Sequence, residues 1–173
     1  MCAFTPSASW QWQTQTGQLQ LQTGQFLHRT PFQLTDLNTH PSPDFTLAQA
    51  ELFWQFWHAL EQLQYPAVAC FAAAIDALAA QQYLRQTGHK SWWFTAISTD
   101  YQPACAELVW VGGQQPLLAL VTQQQGHCCQ LLLLEDGHSL RGKALYAGEV
   151  LMLLNDRVQP WAPASGHKLA KSA

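Results

Sequence analysis

The sequence predicts an α+β protein, with an N-terminal α/β part (a small antiparallel sheet plus two helices) followed by a C-terminal twisted, β-barrel-like domain. Three observations carry this expectation. Residues 8–30 alternate apolar and polar positions between glycines, and residues 44–85 place apolar side chains at helical spacing. After Gly88 the texture changes to short runs of β-branched, aromatic and leucine residues separated by Gly, Pro and Gln. The change of texture divides the chain into residues 1–88 and 89–173, with a tail from about Pro160 that is expected to be loosely held.

Taken in order, Trp10-Gln11-Trp12, Leu19-Gln20-Leu21 and Phe26-Leu27-His28-Arg29 read as strands of a meander, with Trp10, Trp12, Leu19 and Leu21 facing inward. Three prolines between Pro31 and Asp44 read as a loop. Asp44 or Thr46 can cap a helix to about Gln64. Its four bulky aromatics Phe53, Trp54, Phe56 and Trp57 cannot all face one core, so at least one should be partly exposed. Pro66 suits the first position of a second helix running to Arg85, with Asp76 off its apolar stripe as a solvated charge. Gly88 suits the C-cap, and Arg85 the last turn, where a cation meets the negative end of the helix dipole.

Beyond this turn, strands are expected at Ser91 to Ile97, Glu107 to Val111, Leu117 to Thr122, His127 to Leu134, Gly142 to Tyr146 and Val150 to Leu154. Five or six short strands at that spacing suggest a small closed or strongly bent antiparallel barrel.

The 173 residues suffice to bury a core without staples. Hydrophobic residues make up 48% and charged residues 11%, against an ordinary share of about 25%, and glutamine fills much of the polar surface. The net charge of -3 is unevenly placed: three bases and seven acids lie in residues 1–134, five and four in residues 135–173. Neither part has the basic excess of a nucleic-acid binder, so stacking of single strands on the aromatics of a barrel is only the alternative reading. Five cysteines, an odd number without CxxC spacing, suggest a reduced cytosolic chain. Neither a signal peptide nor a transmembrane helix is expected.

Catalytic patterns are missing from the sequence. No phosphate-cradling glycine motif and no GxSxG occurs. Cys128 and Cys129, near His127 and His138, are expected to point to opposite faces of a strand and so cannot share one metal ion. A thiol enzyme is therefore the weakest alternative. Glu135-Asp136 before Gly137 is expected to be turn chemistry at a hairpin tip.

Several short motifs together are more specific. Tyr83-Leu84-Arg85, then Lys90-Ser91-Trp92 with Phe94, and later Gly142-Lys143-Ala144, Gly148-Glu149, Asn155-Asp156-Arg157 and Pro160, resemble the ZapC family of bacterial cell division proteins. Trp10, Trp12 and the Leu19-Gln20-Leu21 strand fit the start of that family. The chain departs from the pattern at Lys143, where arginine is expected, and in its many glutamines at charged positions.

The resemblance implies a non-enzymatic, cytoplasmic protein of the mid-cell division ring, monomeric and without cofactor, catalytic residue or metal. Its partner would be polymerised FtsZ, the tubulin-like GTPase, contacted on its globular core; the protein would bundle or stabilise the filaments and lower GTP turnover. Neither nucleic acid nor membrane would be a partner. FtsZ is acidic, so scarce bases around an apolar centre become the candidate contacts. Those are Leu19, Arg85, Lys90 and Trp92 in a first patch, and Lys143 and Arg157, near Leu145 or Tyr146, in a second.

Overall fold

The computed structural model describes residues 4–97 and 100–163. Cys2 and the tail positions Gly166, His167, Lys168 and Lys171 lie outside the described residues. The α+β class is what the structure shows. Strands β1 (Gln11–Gln13), β2 (Gln18–Gln22) and β3 (Leu27–Gln33) form an antiparallel meander. Trp10, Trp12, Leu19 and Leu21 are all buried, as period-two alternation requires.

Pro31 does not end β3. The β2–β3 register shifts between Gln18 and Gln20, so the strand passes Pro31 at an irregularity where no ladder bond is asked of its missing N–H.

Thr46 caps α1 (Leu47–Glu61), accepting from the Gln49 backbone at 3.2 Å while the Gln49 side chain accepts from the Thr46 N–H at 3.2 Å. The Gln49 carboxamide also receives the Trp12 indole N–H at 3.1 Å and donates to the Tyr83 hydroxyl at 2.6 Å. One buried side chain therefore ties β1, α1 and the end of α2 together. Phe53, Phe56 and Trp57 are buried and Trp54 is half-buried, matching the crowding expected of that face.

Helix α2 (Ala67–Tyr83) starts after Pro66 and stops earlier than its composition suggests. Tertiary bonds end it. Asn38 N–H takes the Tyr83 carbonyl at 2.8 Å, Leu84 bridges Leu37, and Arg85 N–H takes the Asp36 carbonyl at 2.8 Å. Gly88 is not a positive-φ cap, and Arg85 lies beyond the helix rather than in its last turn. Asp76 is not solvated either: it pairs with His28 on β3 at 2.8 Å, and burial raises its carboxyl above the ordinary range.

The second half is built on a five-stranded antiparallel sheet in the order β10 (Val158–Pro160), β4 (Leu108–Gly112), β5 (Pro116–Gln125), β6 (Cys128–Leu133) and β9 (Val150–Leu154). It is an open sheet with β9 and β10 at its edges, and among the described residues no closed barrel forms. One face, carrying Leu108, Leu120 and Leu132, joins the core of the first half, where α2 packs against both β3 and the β5–β6 pair. The other face, with Val109, Val111, Val121, Leu131 and Leu153, makes a second core with Phe94 and Leu145.

Strands β7 (Gly137–His138) and β8 (Ala144–Leu145) form a small ribbon between β6 and β9. Asp136-Gly137 is therefore not the tip of a hairpin. Gly137 opens β7, and any Cβ there would collide with the Leu117 side chain.

Candidate partner-binding interface

Residues 91–97 are not a strand. Ser91–Trp93 is a 3-10 turn, with Trp93 N–H on the Lys90 carbonyl at 3.0 Å and Phe94 N–H on the Ser91 carbonyl at 3.1 Å. The backbone leaves strand geometry because it is fastened to β9 instead. Lys90 N–H donates to the Met152 carbonyl at 2.8 Å, and the Leu154 N–H donates to Ser91 Oγ at 2.8 Å. Phe94 then enters the second core, and Thr95 N–H bonds the Gly112 carbonyl at 2.8 Å.

This turn is the centre of a basic and aromatic surface. The Lys90 ammonium lies 5.5 Å from the Trp92 ring centroid and 5.7 Å from that of Trp93. From the β7–β8 ribbon, the Lys143 ammonium lies 4.0 Å from the Trp93 centroid. Each contact holds an ammonium by the ring quadrupole, worth about 0.5–1 kcal/mol at an exposed site. Trp92 is 56% exposed and Leu140 is 44% exposed, with the Leu140 N–H on the Trp93 carbonyl at 2.9 Å. The His89 ring meets Trp92 edge-on at 6.0 Å.

Arg157 reaches the same turn from the last strands. Its Nε donates to the Ser91 carbonyl at 2.9 Å, and its Nη1 is 2.8 Å from the Asp156 carboxylate. Asn155–Arg157 is itself a 3-10 turn, so the two most specific motif pieces, Lys-Ser-Trp and Asn-Asp-Arg, meet in space. Four of the six residues singled out from the sequence, Lys90, Trp92, Lys143 and Arg157, thus gather around one turn, although they were assigned to two separate patches.

The remaining two stand apart. Leu19 has no accessible surface and supports the first sheet from within, so it is not a contact residue. Arg85 is exposed, and its guanidinium is 3.4 Å from the Leu37 carbonyl, in a cleft that it lines with Asp36, Gln130 and Met152. Leu145 is buried in the second core, whereas Tyr146 is 59% exposed beside Asp136 and His138.

Leu140 was not foreseen as part of this surface; it is placed by the ribbon alone.

The thiols are placed for packing. Cys129 is fully buried in the second core, where burial pushes its pKa up to about 12, and Cys128 is half-buried next to it in β6. Among the described residues no group of three or more His, Cys, Asp and Glu side chains is arranged to hold a metal. Among them, too, no helix is long and apolar enough to cross a membrane.

Comparison with known proteins finds relatives that bear the name of the family the motif pieces resemble. The cell division protein ZapC of Proteus mirabilis is 26% identical over 164 residues, covering 90% of this chain and 90% of the relative. That of Musicola paradisiaca is 28% identical over 172 residues, covering 94% and 92%. The chain is similar to these ZapC proteins along nearly its whole length. A third ZapC, from Vibrio vulnificus, is 28% identical over 162 residues, with 88% and 89% covered. No family model matches the chain. The matches run over nearly the full length of both partners, so the similarity extends to both halves of the fold and to the turn that joins them.

Proposed function

We propose that this chain is a cell division protein that associates with FtsZ, and that it does so through the surface centred on Ser91–Trp93. The observation that carries the reading is the convergence of Lys90, Lys143 and Arg157 on one exposed tryptophan turn in a chain with eight bases in all. Basic groups around an aromatic centre suit an acidic protein partner: the charges speed encounter, and the desolvated rings supply the affinity. FtsZ bundling or filament stabilisation and slower GTP turnover complete the proposal, with the protein acting as a non-enzymatic monomer without cofactor in the cytoplasm at mid-cell. The division into units at residues 88 and 89 belongs to the same proposal.

A monomer bridges filaments through two contact sites, or through one site that alters filament shape. With Lys90, Trp92, Lys143 and Arg157 on one surface, we take that surface as a single site, and Arg85 as the candidate for a separate contact.

The test mixes the chain with FtsZ and GTP and follows light scattering, pelleting and phosphate release. Higher scattering with slower release is expected. In Lys143→Ala/Arg157→Ala the pelleted fraction should fall at least several-fold with the circular dichroism unchanged; unchanged pelleting sinks the surface. Charge reversal at Arg85 alone should leave pelleting intact but thin the bundles seen by electron microscopy, and persistent bundles would make Arg85 purely structural.

The same concentration of bases beside an exposed ring gives the nucleic-acid reading one favourable observation. Salt-sensitive retention on single-stranded DNA, lost in the same double variant, would favour it.

A further inference from the structure

The motif Lys90-Ser91-Trp92 places its two outer residues on the proposed surface and buries the middle one, Ser91, at 2% exposure. Every polar atom of Ser91 with a side-chain or long-range partner connects the turn to the last strands. The hydroxyl oxygen accepts the Leu154 N–H of β9 at 2.8 Å and lies 3.1 Å from His89 Nδ1. The carbonyl accepts Arg157 Nε at 2.9 Å. Leu154 sits on the outer edge of β9, where an unpaired N–H would otherwise lack a strand partner.

We propose that Ser91 is a positioning residue for the partner surface: its hydroxyl clamps the turn to the edge of β9 and thereby fixes the carbonyl that aims the Arg157 guanidinium. This rests on the FtsZ-binding reading of the surface. Removing the hydroxyl deletes one anchor of the turn and leaves the Leu154 N–H without its acceptor. The Ser91 carbonyl then no longer meets Arg157 Nε, and Arg157 loses its fixed place beside Lys90 and Trp92, while the Lys90 N–H keeps its bond to the Met152 carbonyl. Ser91 itself touches no partner, because it is buried beneath the residues that would.

Two measurements on Ser91→Ala test the assignment. In the free protein, nuclear magnetic resonance of the Arg157 Nε–Hε group should show exchange with water about tenfold faster than in the parent, as expected for loss of a charge-assisted bond, while first-core amides keep their shifts. In pelleting titrations with FtsZ filaments, Ser91→Ala should weaken binding about tenfold, and Ser91→Ala/Arg157→Ala should be no weaker than Arg157→Ala alone, since both changes remove one coupled element. An unchanged Nε–Hε signal overturns the proposal, as do losses that multiply in the double variant.

Should Ser91→Ala fail to fold, Ser91→Cys, which keeps the volume and offers only a weak sulfur acceptor, is read in the same two ways. If the parent chain does not pellet with FtsZ, the functional reading fails on its own, while the resonance measurement still decides whether Ser91 aims Arg157.

Discussion

The core of the first half is aromatic, whereas that of the second is almost wholly aliphatic. Trp10, Trp12, Phe53, Phe56, Trp57, Phe71 and Tyr83 fill the first, meeting largely edge-to-face, as Trp10 does with Phe53 at 5.6 Å and with Phe71 at 5.6 Å. The second is packed by Val, Leu and Ala, with Phe94 as its one fully buried ring among the described residues. The difference bears on function. In the first half the large rings are consumed by packing; in the second, sheet burial needs few of them, so Trp92 and Tyr146 stay at the surface, where a partner can use them.

The contrast is broken most readily by truncation. Phe53→Ala, at a fully buried ring, should cost about 3–5 kcal/mol in urea denaturation, whereas Val109→Ala in the second core should cost roughly 1.5–3 kcal/mol. Equal losses would mean that ring packing adds nothing to the first core.

A smaller effect is expected from the polar tie specific to the first half. Gln49→Leu leaves the Trp12 indole N–H without its acceptor and Tyr83 without its donor, and should cost about 1–3 kcal/mol. A neutral result would show that the tie only orients rings that pack equally well without it.

Next comes the pH response of the His28–Asp76 pair. Because burial raises the native Asp76 carboxyl above its unfolded value, the native state holds that proton longer. Stability assigned to Asp76 is therefore fully present below the unfolded carboxylate value and lost as pH rises through the native one. Asp76→Asn removes this loss, so its stability relative to the parent should improve as pH climbs across and just above the carboxylate range; a constant difference would contradict the sign.

The smallest expected effect is chemical. At pH 8, iodoacetamide should label Cys128 well ahead of Cys129 in mass spectra, since Cys129 is fully buried and keeps its proton. Equal labelling would mean that the second core opens on the timescale of alkylation.

Much of the architecture was legible because it is local. Alternation buried Trp10, Trp12, Leu19 and Leu21, Thr46 and Gln49 form the first cap, and the long strands β4, β5, β6 and β9 lie close to where period and composition put them. Three of the misreadings share a cause, since each was decided by a distant partner. Asn38 and Asp36 end α2 before Gly88, β9 bends Ser91–Trp93 out of strand geometry, and His28 draws Asp76 inward from what looked like a polar flank.

The same holds for the candidate surface. Its cations could be named from their scarcity, but nothing in the order Lys90, Lys143, Arg157 tells that three separated positions share one turn. Only the ribbon β7–β8 and the path of β9 bring them there.

The placement of α2 has a consequence for the order in which the chain is made. Its alanine-rich surface rests on β3 on one side and on β5 and β6 on the other, and roughly fifty residues separate the end of the helix from Leu132, which completes that second contact. At a synthesis rate of about 5–20 residues per second, that flank waits roughly 3–10 s for its cover. During the wait the buried alanines of α2, Ala74, Ala77, Ala79 and Ala80, add little apolar area to attract wrong partners, whereas the rings of the same half can already close on one another. Concentrating alanine in α2 and bulk in α1 thus suits a nascent chain that must hold one helix in readiness for a sheet not yet synthesised.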